Sequence, residues 1–174
     1  MNESRTRALL ADIRHRIPRV AIRTTFLVGY PGETDQDFDR LLDYVAEFGF
    51  DRLGVFVFSP EAGTPAAELT EGRVPTAVAA ERRRRLLETQ QAISLRKNRK
   101  LLGRRLTVLT EGPAQHGDWI ARTPADAPEV DNLVHIQAHE GLPDDGFLEV
   151  HIDEAAPYDL YGHVSTESSH TPHS

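Results

Sequence analysis

Iron–sulfur and thiolate–metal chemistry need cysteine, and this chain of 174 residues has none. Disulfides, thiolate zinc sites and cysteine-ligated clusters therefore lie beyond these residues. The most patterned candidate is Gly29-Tyr30-Pro31-Gly32-Glu33, which closes an apolar, β-branched run. Proline presets φ and glycine accepts φ > 0, so Tyr30-Pro31-Gly32 is turn chemistry. At the C-terminal end of a parallel strand, such a turn sits where α/β barrels place their ligands. The plainer reading is a strand-to-helix turn whose glycines serve geometry alone. The glycine pattern of a nucleotide-phosphate cradle is missing, which removes that mode of binding.

Other polar groups are less specific. The eight histidines show no metal-ligand spacing: His135 and His139 straddle a strand end, and His170 and His173 lie in the tail. They are expected to be exposed or structural. No Ser-His-Asp or paired-carboxylate arrangement stands out. Arg82-Arg83-Arg84-Arg85 is better read as a solvated helix face partnered by Glu81 and Glu88 than as a nucleic-acid patch, because successive helical residues point in different directions. Trp119 and Tyr161 are of the type that stacks on bases. Charge argues against it: residues 103–174 hold three arginines and thirteen acids, a net −10 that leaves +3 for residues 1–102. Acidic surfaces repel phosphates and favour a basic partner.

These residues need elements to position them. Leu9, Leu10, Ile13 and Ile17 predict a helix over 4–17, stopped by Pro18. Val20 to Val28 predicts a buried strand. Thr34 with Asp37 resembles a capping box for a helix over about 35–48, with Phe38, Leu41, Leu42, Val45 and Phe48 at helical spacing and Gly49 at its C-cap. Leu53 to Phe58 is a continuous apolar run, expected as a strand buried on both faces, and so completes a parallel βαβ unit. The loop Ser59 to Pro65 reads as a Pro/Gly connector, followed by a long helix from Thr76 to Leu101. Beyond Gly103, strand candidates at 104–111, 117–122, 133–137, 146–153 and 158–164 suggest a small OB-like barrel. The expected domains are 1–102 and 103–164, with a disordered tail over 165–174. Two strands buried on both faces leave edges uncovered, so the first part is expected to need more sheet from elsewhere. No apolar run approaches the roughly 20 residues of a membrane span, and no signal-peptide core follows Met1. The expected location is cytoplasmic.

The run Arg23 to Thr34 resembles a strand of the methylthiotransferase branch of the radical S-adenosylmethionine (SAM) enzymes. Phe50 to Ala66 is similar to the next strand and loop of that barrel, and Glu81 to Ser94 to the helix leading into its terminal TRAM domain. Ala125-Asp126-Ala127-Pro128-Glu129-Val130-Asp131 and Tyr158 to Gly162 resemble the TRAM domain of the RimO type, whose members methylthiolate an aspartate of small-subunit ribosomal protein twelve. The resemblance implies an α/β partial radical-SAM (TIM-like) barrel followed by an all-β OB-like TRAM barrel. It implies SAM and two 4Fe–4S clusters as cofactors of a parent enzyme whose cluster cysteines are absent here, and so no activity for this chain alone. Gly29, Tyr30, Pro31, Gly32 and Glu33 would wall the SAM pocket, Gly29 permitting close approach and Glu33 accepting hydrogen bonds from the ligand. Trp119, Asp126, Glu129, Asp131, Asp159 and Tyr161 would dock the basic ribosomal protein, and a separate cysteine-bearing half is an expected partner. A tRNA methylthiotransferase of the MiaB kind and a non-catalytic binding module are the alternatives. The Arg-Thr-Thr start of the first strand, the segment Asp126-Ala127-Pro128-Glu129-Val130-Asp131 and the acidic TRAM region favour RimO.

Overall fold

A computed structural model describes residues 3–114, 118–127, 132–137 and 142–164. The chain divides into two compact units, residues 1–90 and 91–174. In the first, α1 (Glu3–Arg16) precedes β1 (Arg23–Val28), α2 (Asp35–Phe48) and β2 (Arg52–Val57). A 3-10 turn at Pro65–Glu68 leads to α3 (Thr76–Arg99), whose last turns belong to the second unit.

β1 and β2 pair in parallel, Arg23 with Arg52 through Val28 with Val57, so α2 is the crossover of a βαβ unit. Its ends are set by local chemistry. Thr34 accepts from the Asp37 N–H while Asp37 accepts from the Thr34 N–H, closing a capping box. Gly49, at φ 63°, donates to Val45 O as the left-handed C-cap. Phe38, Tyr44 and Val45 of α2 are buried, as are Val28, Phe50, Val55 and, from α3, Ala79 and Leu86.

In this chain by itself the second strand is covered on one face only: Phe56 is 64% exposed and its register partner Leu27 49%. Strand side chains alternate, and only the face carrying Phe26, Val28 and Val55 has a cover. On α1, Leu9 and Ile17 are exposed and no residue is fully buried. That helix is held instead by Arg14, whose guanidinium donates to Phe48 O and Gly49 O, and by Arg7, which stacks over Tyr44 and pairs with Glu47.

The second unit is a closed five-stranded barrel in the order β3-β4-β5-β7-β6, from β3 (Arg105–Pro113), β4 (Trp119–Arg122), β5 (Val134–Ile136), β6 (Phe147–Ala155) and β7 (Leu160–Val164). All pairings are antiparallel except β5 with β7. This is an OB-like arrangement, in which closure removes exposed edges. Val108, Ala121, Val134, Ile136, Val150, Ile152 and Leu160 fill it. Among the described residues, no helix is long and apolar enough to cross a membrane.

Candidate functional site

The loop after β1 is a tight turn, with the Glu33 N–H donating to Tyr30 O at 2.9 Å and Gly32 at φ 90°. The Gly32 N–H donates to Gly72 O at 2.8 Å, tying the turn to the segment before α3. Glu33 folds back on its own loop. Its Oε2 accepts from the Gly29 N–H at 2.9 Å, and its Oε1 accepts from Arg82 Nη1 at 2.6 Å. Arg82 Nη2 reaches Asp35 Oδ1 at 2.6 Å, so the guanidinium clamps both ends of the strand-to-helix turn. Burial pulls the Arg82 pKa down, but hydrogen bonds and charge from Asp35 and Glu33 outweigh it and raise it.

Arg82 was not legible as a site residue. Arg84 bridges Glu81 and Glu88 in solvent, as a solvated face requires, and Arg85 pairs with Asp39. Arg82 faces the other way, buried, on a stripe with Ala79, Leu86 and Gln90. That i, i+3, i+7 spacing is the signal that marks it.

The space beside Gly29 is filled by the protein itself. A Cβ there would lie 2.5 Å from Ala79 Cβ, and φ is 78°. The glycine therefore admits α3 at this point. Glu33 is similarly engaged, both oxygens serving Gly29 and Arg82. Tyr30 stays exposed, edge-on to Phe58 at 5.2 Å. A cleft of about 190 Å³ remains at the C-terminal ends of both strands, lined by Pro31, Phe58, Pro60, Arg73 and Thr76 among others.

In the second unit the docking residues divide. Tyr161 is exposed and stacks on His135 across the β5–β7 pair, 4.8 Å between centroids and 15° from parallel. Trp119 is half-buried against the barrel core. Asp126 is buried and accepts from the Thr123 hydroxyl at 2.5 Å, and Asp159 accepts from the Leu133 N–H at 3.1 Å. Both carboxylates brace turns. Glu129 and Asp131 lie outside the described residues, as do His139, His170, His173 and the tail. Among the described residues, the exposed acids of the barrel are Glu111, Asp118, Asp144, Asp145, Glu149, Asp153 and Glu154. The same unit also holds Arg96, Lys97 and Arg99 of α3 and, after it, Lys100, Arg104 and Arg105, so its acidity is not uniform. The histidines are not all isolated: His151, Asp153 and His163 converge on the barrel's outer wall.

Residues 102–164 match the TRAM domain family. Ribosomal protein uS12 methylthiotransferase RimO of Synechococcus sp. (strain JA-2-3B'a(2-13)) is 47% identical over 157 residues, covering 90% of this chain and 33% of that protein. The RimO of Anaeromyxobacter sp. (strain K) is 47% identical over 160 residues, 91% of the chain and 34% of the relative. That of Pelotomaculum thermopropionicum is 45% identical over 156 residues, 88% and 35% respectively. The matches fall on the C-terminal part of those proteins. Over nine tenths of its length the chain is similar to the C-terminal part of these RimO proteins. It spans about a third of the length of the curated relatives it matches.

The cofactors of radical SAM chemistry can be set against these residues. With no cysteine, the chain cannot ligate a 4Fe–4S cluster through thiolates. The cleft of about 190 Å³ falls short of the roughly 300 Å³ at which small-molecule pockets begin. By itself it does not enclose SAM.

Proposed function

We propose that this chain supplies barrel wall and substrate-docking domain to a RimO-type methylthiotransferase acting on an aspartate of ribosomal protein uS12. The observation that carries this is the extent of the match, 47% identity running through both units rather than through the TRAM domain alone. The sheet supports it. In α/β barrels the helices lie outside, and here they cover the Phe26, Val28 and Val55 face. Thr25, Leu27, Gly54 and Phe56 would then look into the lumen of a radical-SAM barrel completed by further strands. The Tyr30-Pro31-Gly32 turn stands on the ligand side of that barrel, as one wall of a SAM pocket, with Glu33 and Arg82 fixing its shape.

In this reading SAM and two 4Fe–4S clusters, held by cysteines of another segment, supply the radical chemistry that replaces C–H with C–SCH3. The residues here position the substrate and exclude water. The exposed carboxylates of the TRAM barrel attract basic uS12. This chain without a cysteine-bearing segment is inactive.

The test has two arms. The full chain, co-expressed with the cysteine-bearing N-terminal two thirds of a RimO relative, is expected to co-purify as an iron-loaded complex that methylthiolates uS12 by mass spectrometry. The full chain alone is expected to bind uS12 more tightly than tRNA at physiological ionic strength. Failure to associate with that segment would overturn the barrel assignment. Preference for tRNA would transfer the chain to a MiaB-like role, for which Arg96, Arg99, Lys100, Arg104 and Arg105 and the His135–Tyr161 stack would be the foothold.

A further inference from the structure

We propose that His151, Asp153 and His163 form a divalent transition-metal site, suited to Zn2+, on the outer wall of the second unit's barrel. The histidines are register partners on the antiparallel strands β6 and β7. Between them the pairing slips: Ile152 faces Gly162 and Glu154 faces Tyr161, so Asp153 is the extra residue of a β-bulge. Bulges re-aim a side chain. Here the bulge brings one carboxylate between two imidazoles, with His151 Nδ1 3.0 Å from Oδ1 and His163 Nδ1 2.6 Å from Oδ2.

The arrangement is held from behind. A Cβ at Gly162 would sit 2.1 Å from His151 O, so the glycine lets β7 approach β6 more closely than any side chain permits. The neighbouring residues Val150, Ile152 and Leu160 are buried in the core, which anchors both strands while the three polar side chains reach solvent.

One ligand atom from each residue lies within 4.8 Å of the others. Zinc bonds to imidazole nitrogen and carboxylate oxygen are about 2.0–2.2 Å, which separates tetrahedral ligands by roughly 3.3 Å. Rotation of three solvent-accessible side chains closes that gap without moving the backbone. Two imidazoles and a carboxylate select Zn2+ and its neighbours over Mg2+ or Ca2+, which prefer all-oxygen shells. Three protein ligands leave a fourth position for water. The bound ion would cross-link β6 to β7 at the bulge, where the ladder is interrupted.

Zn2+ titration of the full chain by calorimetry, with long-range 1H–15N NMR of the imidazoles, tests this. One equivalent should bind, with the Nδ1 resonances of His151 and His163 shifting together. Asp153→Asn and His163→Ala should each weaken that event by at least the roughly tenfold that even outer-shell losses cost, whereas His170→Ala with His173→Ala should leave it unchanged. Both changed side chains of the site reach solvent, and thermal melts of each variant will report whether the barrel persists. Should Zn2+ leave the His151 and His163 signals in the intact chain unmoved, or should Asp153→Asn bind as tightly as the parent, the site does not exist.

Discussion

Arg82 Nη1 lies 2.6 Å from Glu33 Oε1, and the other oxygen of that carboxylate takes the Gly29 N–H at 2.9 Å. One ion pair therefore joins α3 to the end of β1 and holds the turn between them. With side chains 6% and 12% exposed, the pair is little screened by solvent. Removing one partner of a buried pair strands the other's charge, at a cost of about 3 kcal/mol. Arg82→Ala should lower stability by that order in chemical denaturation of the full chain. Arg82→Lys should recover only part of it, because an ammonium lacks the fork that spans Glu33 and Asp35.

Gly29 meets α3 at Ala79, and two separable effects hold it there. An alanine at Gly29 would add a clash at 2.5 Å and a residue at φ 78°. Together these should cost about 2 kcal/mol or more. Pairing Gly29→Ala with Ala79→Gly removes the clash and leaves the backbone strain. The double variant should therefore be more stable than Gly29→Ala and less stable than the parent after allowance for glycine in a helix. Equal stability of the single and double variants would show that contact with Ala79 is unimportant.

Gly162 is the corresponding point in the barrel. Gly162→Ala would force a Cβ against His151 O and Val150 Cγ1, at 2.1 and 2.9 Å. Backbone cannot move aside as a side chain does, so a loss of about 3 kcal/mol is expected. Amide hydrogen exchange should accelerate in β6 and β7 and stay unchanged in α2, since the two lie in different compact units.

The capping box carries a pH signature. Hydrogen bonds from the Thr34 hydroxyl and N–H, then from Arg40, lower the Asp37 pKa to about 2. A depressed carboxylate stabilises the fold above its unfolded pKa of about 3.9, and that contribution is lost as pH falls through the folded value. The start of α2 should thus persist at pH 4 and fray toward pH 2. Carboxyl 13C shifts of Asp37 over that range will report it. In Thr34→Ala its midpoint should move up, and the helix should lose about 1 kcal/mol with its cap.

Periodicity and turn chemistry made the elements legible. The Thr34–Asp37 box and Gly49 bounded α2 at 35–48, and Gly, Pro and Asp clusters bounded five strands to within a few residues. Contacts that depend on how elements meet were not legible in the same way. The four-arginine run hid Arg82, because which member turns inward depends on the packed face, seen only with Ala79 and Leu86 as a stripe. The stretch from Val20 became strand only from Arg23, since β2 begins pairing at Arg52. Asp126 and Asp159 read as surface charge by type, yet nearby N–H and hydroxyl donors turn both into braces. His151 and His163 are twelve positions apart, and only the β6–β7 register with its bulge brings them to one carboxylate.

Leu27 and Phe56 test the open face of the two-stranded sheet. They are paired in register and exposed, and both strands keep an unpaired edge among the described residues. Apolar side chains that make few contacts contribute little to the fold, and charged replacements at such positions change stability by no more than about 0.5 kcal/mol. Leu27→Glu with Phe56→Glu should therefore change the thermal midpoint of the chain by itself only slightly. The same pair of charges inside a barrel lumen would be buried without partners and could not be tolerated. Co-purification with the cysteine-bearing segment of a RimO relative should accordingly be lost. If the double variant still assembles and loads iron, this face is not the barrel's inner wall, whatever the TRAM unit does.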